Sequence, residues 1–321
     1  FRSTFTDIYR LQPFDYAILV PYFAVLIVLS FYGLHRYHVI REYWKFKSKM
    51  PTEAPTRFET LPRVTIQLPI YNEQYVVEQL LEQTSKMDYP RELLQIQVLD
   101  DSTDGTTAIS EAAVARKRAE GYDISLLHRT NREGFKAGAL ENGLKSATGE
   151  FIAIFDADFL PATNFLEDVI HYFSDSEVGM IQARWGHINR EYSLLTQVES
   201  VILDGHFIIE HGGRHLSGRF FNFNGTAGIW RRAAIETAGG WEHDTLTEDT
   251  DLSYRAQLAG WKFLYLPHIV CPAELPVEMN SFKTQQARWA KGLVQTAIKL
   301  LPRILDRKST RLNSSHGYIS Y

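Results

Sequence analysis

The chain has 321 residues, of which 34 are Lys or Arg and 38 are Asp or Glu, so its formal net charge is −4. This balance excludes a polycationic nucleic-acid-binding protein, and we expect no nucleic acid among its partners. Apolar residues make up 45% and charged residues 22% of the chain, which is typical of a folded protein and not of a disordered one. The single cysteine, Cys271, excludes an intramolecular disulfide and a zinc site built from paired cysteines.

The first predicted element is a membrane-spanning helix. Residues 16–34 read YAILVPYFAVLIVLSFYGL and carry no charge, and a helix of this length spans roughly 28 Å, about the thickness of the hydrocarbon core of a bilayer. Arg36, Arg41 and three lysines up to residue 49 follow it, and the positive-inside rule places such a flank in the cytoplasm. A cleaved signal peptide is disfavoured because no small-residue cleavage site follows the long apolar run, and a buried core helix is a further alternative.

We therefore expect residues 1–50 to anchor the protein in an inner or plasma membrane, in contact with lipid. The N-terminus would lie outside, and everything after residue 36 would lie in the cytoplasm. Residues 51–62, PTEAPTRFETLP, contain three prolines and no apolar period, so they are interpreted as a linker.

From residue 63 onward, short β-rich runs alternate with helical patterns. The predicted strands cover residues 64–70, 93–100, 123–128, 151–158, 178–185 and 261–267. Near-continuous apolar strands that alternate with helices are typical of parallel sheets. We therefore predict an α/β domain over residues 63–306, with a mostly parallel sheet covered by helices on both faces. Ligands of such sheets bind at the carboxyl ends of the strands.

Acidic residues follow three of the predicted strands. They are Glu73, with Tyr71 beside it, then Asp100 and Asp101, and finally Asp156 and Asp158. In an extended segment residues two apart share a face, so Asp156 and Asp158 can both bind one hard divalent cation such as Mg²⁺ or Mn²⁺. A turn or a helix cap before Pro161 is the alternative interpretation.

Two further groups suit a nucleotide. Asp100 and Asp101 precede Ser-Thr-Asp-Gly, which is typical of a capped turn before a helix. A capped turn does not require two preceding carboxylates, which could accept hydrogen bonds from a nucleobase or a ribose hydroxyl. Lys136 begins the next helical pattern, where its ammonium and free backbone N–H groups suit phosphate. A solvated lysine is the alternative.

A candidate general base lies in the last third of the predicted domain. Thr245 and Glu248 fit a capping box for a helix that runs to Gly260. Capping leaves Asp249 without a structural role, and a carboxylate in this position can act as a general base.

A second helical pattern carries Gln285, Arg288 and Trp289, whose spacing places them on one face. A guanidinium beside an indole suits a diphosphate and a stacked sugar. An amphipathic interfacial helix anchored by tryptophan is the alternative, and both can hold for the same helix. By contrast, His206, Glu210, His211 and His215 have metal-like spacings without a metalloprotease motif, and we interpret them as part of a packed or surface helix.

Taken together, these motifs resemble the processive membrane synthases of glycosyltransferase family 2, and within it the cellulose synthase-like mannan and glucan synthases. The most specific pieces are QVLDDSTDGT (97–106), NREGFKAGAL (131–140), IFDADFLP (154–161), IQARWGHIN (181–189), FNFNGTAGIWRRAAIETAGGW (221–241), TEDTDL (247–252), GWKFLYL (260–266), AELP (273–276) and QQARW (285–289). The resemblance covers about residues 62–291. It implies a GT-A fold, a nucleotide-sugar donor such as UDP-glucose or GDP-mannose, and inversion at the anomeric carbon to give a β-linked polysaccharide.

The resemblance also implies roles for individual residues. The expected donor-binding residues are Tyr71, Glu73, Asp100, Asp101, Lys136, Asp156, Gln285 and Arg288. The expected acceptor-binding residues are Asn224, Gly225, Thr226 and Trp289. Asp156 and Asp158 would hold Mg²⁺ or Mn²⁺, and Asp249, with Glu248 beside it, would be catalytic.

One departure from the family lies at the end of the chain. Family members continue beyond the QQARW helix into further membrane helices that form the polymer channel, whereas residues 307–321 are polar and match nothing in the family. We interpret these residues as a non-native tail. A non-processive transferase acting on a lipid or short glycan, and a catalytically silent membrane partner of another synthase, are the alternative functions.

Overall fold

The computed structural model describes residues 12–306. The predictions made for the N-terminus at Phe1 and for the tail at residues 307–321 therefore lie outside the described residues. Residues 51–62 contain neither helix nor strand, but Phe58 and Leu61 pack against the hydrophobic core of the domain. This segment therefore lies on the surface of the domain.

A seven-stranded sheet forms the centre of the domain. Its strands are β1 Val64–Ile70, β2 Leu94–Asp100, β3 Asp123–His128, β4 Phe151–Ile154, β5 Val178–His187, β6 Gly228–Arg231 and β7 Lys262–Ala273, in the spatial order β3-β2-β1-β4-β6-β5-β7. The pairs β1–β2, β1–β4, β2–β3 and β5–β7 are parallel, and β6 runs antiparallel between β4 and β5. The predicted mostly parallel sheet is confirmed, whereas β6 was not predicted from the sequence.

The α-helices of the described residues are α1 Pro13–Phe46, α2 Val77–Ser85, α3 Thr106–Ala119, α4 Phe135–Leu144, α5 Phe165–Ile170, α6 Leu194–Asp204, α7 Gly212–Leu216, α8 Arg232–Thr237, α9 Glu248–Leu258 and α10 Met279–Leu305. A π-helix, Gly205–His211, joins α6 to α7. It packs against α1 on one side and against β5 and β7 on the other.

The core consists of two apolar clusters, one on each face of the sheet. Along β4, Phe151 and Ala153 belong to one cluster, whereas Ile152 and Ile154 belong to the other. Because successive side chains of a strand point to opposite faces, both faces of β4 are buried. Helices α2, α3 and α5 cover the first face, and α4, α8 and α9 cover the second. The predicted two-sided helical cover is confirmed.

Helix α1 is long and apolar enough to cross a membrane, with a mean hydropathy of 2.3 over its most apolar window, none of which is buried. The helix continues through Pro21. Its second half packs against α7, where a Cβ at Gly213 would lie 2.8 Å from the backbone oxygen of Val39. The absence of a side chain at Gly213 thus allows α1 to lie directly on the domain.

Two local predictions are wrong. The strand predicted over residues 151–158 ends at Ile154, so Asp156 and Asp158 lie in the turn after β4 and not on one face of a strand. The capping box at Thr245 is absent, because α9 begins at Glu248 after Thr247 and has no side-chain cap. Asp156 and Asp158 thus lie in an irregular segment, and Glu248 and Asp249 lie in the first turn of α9.

Candidate active site

A cleft of about 830 Å³ opens at the carboxyl ends of β1, β2 and β4, which is a volume suited to a small-molecule ligand. The sequence-predicted residues that line it are Tyr71, Glu73, Asp101, Lys136, Asp156, Asp158, Asn224, Gly225, Glu248, Asp249, Gln285, Arg288 and Trp289. Two other predicted residues, Asp100 and Thr226, lie behind its wall.

Asp100, which was predicted to bind the donor, lies behind the wall of the cleft with its side chain inside the protein. Its side chain is fully buried, and Oδ1 accepts a hydrogen bond of 3.0 Å from the backbone N–H of Ser102. Oδ2 lies 2.7 Å from the Thr107 hydroxyl and 2.8 Å from Nδ1 of His128. Both oxygens of Asp100 are therefore engaged inside the protein, where they fix the turn after β2.

Thr226 is likewise a supporting residue. It is 1% exposed, and its hydroxyl accepts a 2.9 Å hydrogen bond from the backbone N–H of Asp156. This bond joins the loop before β6 to the turn after β4. Thr226 therefore positions the acidic turn, and its neighbours Asn224 and Gly225 line the cleft.

Asp101 lies at the edge of the cleft in a bidentate ion pair with Arg129. The distances are 2.8 Å from Nε to Oδ1 and 2.5 Å from Nη2 to Oδ2. The same guanidinium donates to the backbone oxygens of Glu133 and Phe135, each at 2.9 Å. Asp101 thereby fixes the loop that leads into α4 and its Lys136.

Nearby, Arg132 lies over Tyr71, with its guanidinium carbon 3.2 Å from the centre of the Tyr71 ring. Both residues line the cleft. A cation over an aromatic face is an attractive arrangement, and it places a positive charge at this end of the cleft. Arg132 was not predicted as a site residue, although it lies in the motif NREGFKAGAL.

Three elements meet at Gly225, where the cleft has its acidic centre. Lys136 Nζ donates to the Gly225 backbone oxygen at 2.9 Å and also to Asp156 Oδ1. Gly225 has φ +82°, and a Cβ there would lie 3.2 Å from Asp249 Oδ2 and 3.4 Å from Lys136 Nζ. Glycine is thus favoured both by its backbone conformation and by the close approach of Asp249 and Lys136.

The carboxyls of α9 have raised pKa values. Burial, followed by the charge of Glu248, raises the pKa of Asp249 to about 7. Burial also raises the pKa of Glu248, against the opposing charge of Lys136. A carboxyl with a pKa near neutrality, such as that of Asp249, is suited to proton transfer.

The turn after β4 is suited to a cation. Asp158 is exposed to the space of the cleft, yet desolvation by the surrounding protein and the charge of Asp156 raise its pKa to about 7. Burial and Asp156 raise the pKa of Glu73 as well. Carboxyls whose pKa values are raised by burial and by one another's charge fit a hard divalent cation, which would stabilise their ionised forms.

Helix α10 brings Gln285, Arg288 and Trp289 to the cleft, so the three residues share one face of the helix as predicted.

The attachment of α10 to α9 was not predicted. Lys299 Nζ lies 2.5 Å from Glu242, 2.7 Å from Asp244 and 3.0 Å from Asp251. These three carboxylates are close enough together to hold a metal ion, but the lysine ammonium occupies their centre. We call Lys299 and these carboxylates the α9–α10 clasp.

Further residues of the cleft were not identified from the sequence. Trp185, His187 and Glu199 line the side formed by β5 and α6. Glu199 is 2% exposed and its Oε2 has no hydrogen-bond partner among residues 12–306. The motif IQARWGHIN contains Trp185 and His187, whereas Glu199 has no local sequence signal because only the packing of α6 places it in the cleft.

Comparison with known proteins identifies the family. Residues 62–292 match the family model described as Glycosyltransferase like family 2. The chain is 38% identical over 301 residues to glucomannan 4-beta-mannosyltransferase 2 of Arabidopsis thaliana, covering 90% of this chain and 54% of that protein. The chain thus spans about half the length of this relative.

Solved structures agree with this match. The mannosyltransferase PcManGT from Pyrobaculum calidifontis, in complex with GDP-Man and Mn²⁺, has a TM-score of 0.69 and 26% identity, covering 87% of this chain and 75% of that one. S. aureus TarS in complex with UDP has a TM-score of 0.53 at 16% identity, covering 74% and 65%, and shows the fold alone. The resemblance seen in the motifs and the predicted GT-A fold are confirmed, and the chain belongs to glycosyltransferase family 2.

Proposed function

We propose that the protein is a membrane-anchored inverting mannosyltransferase that transfers mannose from GDP-mannose to a β-linked glycan. The observation that carries this proposal is the meeting of Asp249, Lys136 and Asp156 around Gly225 in the cleft. The 38% identical relative is named a glucomannan mannosyltransferase. The structure of PcManGT contains GDP-Man and Mn²⁺. Both support GDP-mannose over UDP-glucose, the other donor that the sequence motifs allow.

The proposed reaction is a single displacement. Asp249 accepts the proton of the acceptor hydroxyl as that oxygen attacks the anomeric carbon, and the bond from this carbon to the diphosphate breaks. The incoming oxygen attacks opposite the leaving diphosphate, so an α-linked donor gives a β-linked product. Glu248 contributes by raising the pKa of Asp249.

Positive side chains stabilise the leaving group. Lys136 and Arg288 line the cleft, where they would neutralise the charge that develops on the departing nucleoside diphosphate. Burial lowers the pKa of Lys136, but the surrounding carboxylates, first Asp156 and then Glu248, together raise it above its usual value, so Lys136 remains a cation. Asp156 and Asp158 would hold Mn²⁺ or Mg²⁺, which would supply further neutralisation of the diphosphate when bound.

Each of the remaining predicted residues would contact either the donor or the acceptor. Tyr71, Glu73 and Asp101 lie at the ends of β1 and β2, where the nucleoside of the donor would bind. The acceptor glycan would bind on the side of Asn224, Gly225 and Trp289, with Gln285 beside the diphosphate.

Membrane anchoring through α1 is part of the proposal. The length and apolar character of α1 support a span, and the basic residues after it support a cytoplasmic location for the domain. Nucleotide sugars are made in the cytosol, so this orientation gives the cleft access to its donor.

The test is a donor screen with sizing of the product. Membranes that contain the protein are incubated with radiolabelled GDP-mannose or UDP-glucose and a β-linked manno-oligosaccharide, and the products are separated by length. Transfer from GDP-mannose in repeated steps supports the proposal. Products longer by one sugar alone would indicate the non-processive alternative. Neither transfer nor hydrolysis of either donor would indicate the catalytically silent alternative.

A further inference from the structure

A chain of polar contacts joins Arg36, in the second half of helix α1, to the cleft. Arg36 Nη1 donates to Glu210 Oε2 at 3.0 Å. Glu210 Oε2 lies 3.4 Å from His206 Nδ1, and His206 Nε2 lies 3.0 Å from Asn224 Nδ2. His206 and Glu210 both belong to the π-helix, a rare conformation that is often found at functional sites.

The hydrogen-bond directions along this chain are consistent with one another. The amide nitrogen of Asn224 can only donate, so His206 Nε2 is the acceptor and His206 Nδ1 carries the proton toward Glu210. Burial would raise the pKa of Glu210, but the hydrogen bond from His206 and the charges of Arg214 and Arg36 lower it to about 2. Glu210 is therefore an ionised acceptor held by three cationic or donating partners.

The contacts of His206 and His211 give most of their ring nitrogens a partner within the protein. Both ring nitrogens of His206 have partners, and His211 Nε2 lies 2.9 Å from the backbone oxygen of Asn222. The interpretation of this segment as a packed helix agrees with these contacts.

Asn224 is the member of this chain of contacts that lines the cleft. Among the described residues its backbone N–H is hydrogen-bonded, whereas its side-chain oxygen is not. Its backbone N–H donates to Gln182 Oε1 at 2.9 Å. Its Oδ1 is buried and has no hydrogen-bond partner within the described range 12–306. A buried acceptor without a partner is costly, and a ligand hydroxyl would remove that cost. Asn224 lines the cleft and precedes Gly225, against which the carboxylate of Asp249 lies.

We propose that His206 is a positioning residue that directs the amide oxygen of Asn224 toward a hydroxyl of the acceptor sugar, and that Arg36 holds His206 in place through Glu210. This inference rests on the proposed function, because the acceptor is the glycan of that reaction. Without His206, the amide of Asn224 loses the partner of its nitrogen and can rotate. The anchor helix would in this way contribute to acceptor binding without reaching the cleft itself.

The test uses the full chain in membranes and separates acceptor binding from donor binding. The acceptor KM is measured with a β-linked manno-oligosaccharide, and the donor is probed by hydrolysis of GDP-mannose without acceptor. The variants are His206→Leu, which removes both contacts, His206→Gln, which keeps an acceptor for Asn224 but not the link to Glu210, and Arg36→Gln. Arg41→Gln is the matched control, because it removes the same charge from an exposed position of α1.

We expect His206→Leu to raise the acceptor KM about 3- to 10-fold, the size expected for one net hydrogen bond. His206→Gln and Arg36→Gln should each raise it about 2- to 3-fold, a partial loss of the same hydrogen-bond energy. Donor hydrolysis and Arg41→Gln should remain at the wild-type level. In the His206→Leu background, Arg36→Gln should have no further effect, because the chain is already broken.

Three results would overturn the inference while the wild type transfers mannose. The first is a His206→Leu acceptor KM equal to that of the wild type. The second is a matching loss of donor hydrolysis, which would indicate a general structural defect. The third is an Arg36→Gln variant that behaves as Arg41→Gln does. A wild-type protein that transfers no sugar would instead refute the proposed function.

Discussion

Substitution of Asp249 by asparagine tests the assignment of the general base. The change keeps the size of the side chain, and its amide oxygen can still accept the 2.7 Å hydrogen bond from the backbone N–H of Thr250. The start of α9 should therefore be preserved. What is lost is the carboxylate oxygen Oδ2 beside Gly225, which would receive the proton.

The expected loss is a factor of about 10² to 10⁴ in the rate of transfer, which corresponds to roughly 3 to 5 kcal/mol in the activation barrier. Binding of GDP-mannose should change less than about twofold, a difference of roughly 0.4 kcal/mol, because the base acts on the acceptor. Initial rates with a labelled donor and equilibrium binding of the same donor give the two quantities. An asparagine variant with wild-type turnover would refute the assignment of Asp249.

Four further expectations follow from the same structure. Below about pH 7 the rate of transfer should fall as Asp249 becomes protonated. Glu248→Gln should move this decline to lower pH, because the charge of Glu248 raises the pKa of Asp249. A pH profile of kcat/KM that is identical in the wild type and this variant would argue against an effect of Glu248 on Asp249. Transfer should cease in excess EDTA and return with Mn²⁺ or Mg²⁺, and full activity under chelation would exclude the predicted metal site at the turn after β4. Lys299→Met should lower the free energy of unfolding by roughly 1 to 3 kcal/mol, because it removes the ammonium shared by the three carboxylates of the α9–α10 clasp and leaves Arg255 as their remaining cation. A thermal midpoint equal to that of the exposed control Lys291→Met would contradict this. Reporters fused before and after α1 should lie on opposite sides of the membrane, and two signals from one side would show that α1 does not span it.

The sequence predicted the sheet well because its strands are buried on both faces. Runs such as VTIQLPI and LLQIQVLD are apolar enough to identify β1 and β2 without knowledge of their partners. The strand β6 was missed because it has only four residues, begins with glycine and pairs antiparallel to its neighbours. Its existence depends on pairing with β4 and β5 and not on a local pattern.

The site was predictable where local motifs place residues at strand ends or on one helix face, as with Lys136, Asp249 and Arg288. Asp100 and Asp101 show the limit of this reasoning. The two neighbours are identical in chemistry, and only the tertiary contacts show that Asp100 points into the protein while Asp101 lines the cleft.

Long-range contacts account for the remaining differences. Lys299 lies more than 45 residues from each carboxylate of the α9–α10 clasp. His206 and Arg36 are more than 160 residues apart and are linked only because the π-helix packs against α1. No spacing rule within one helix or strand reports such contacts, which arise from the packing of separate elements.

The central claim is that the cleft transfers mannose with inversion. Its most direct test is the identity of the linkage formed from labelled GDP-mannose or UDP-glucose. Membranes with the wild-type protein are compared with membranes that contain Asp249→Asn as an inactive control. We predict that label from GDP-mannose enters material that a β-mannanase degrades, in the wild type and not in the asparagine variant. Label that enters an α-linked product, or that is transferred only from UDP-glucose, would contradict the proposed function.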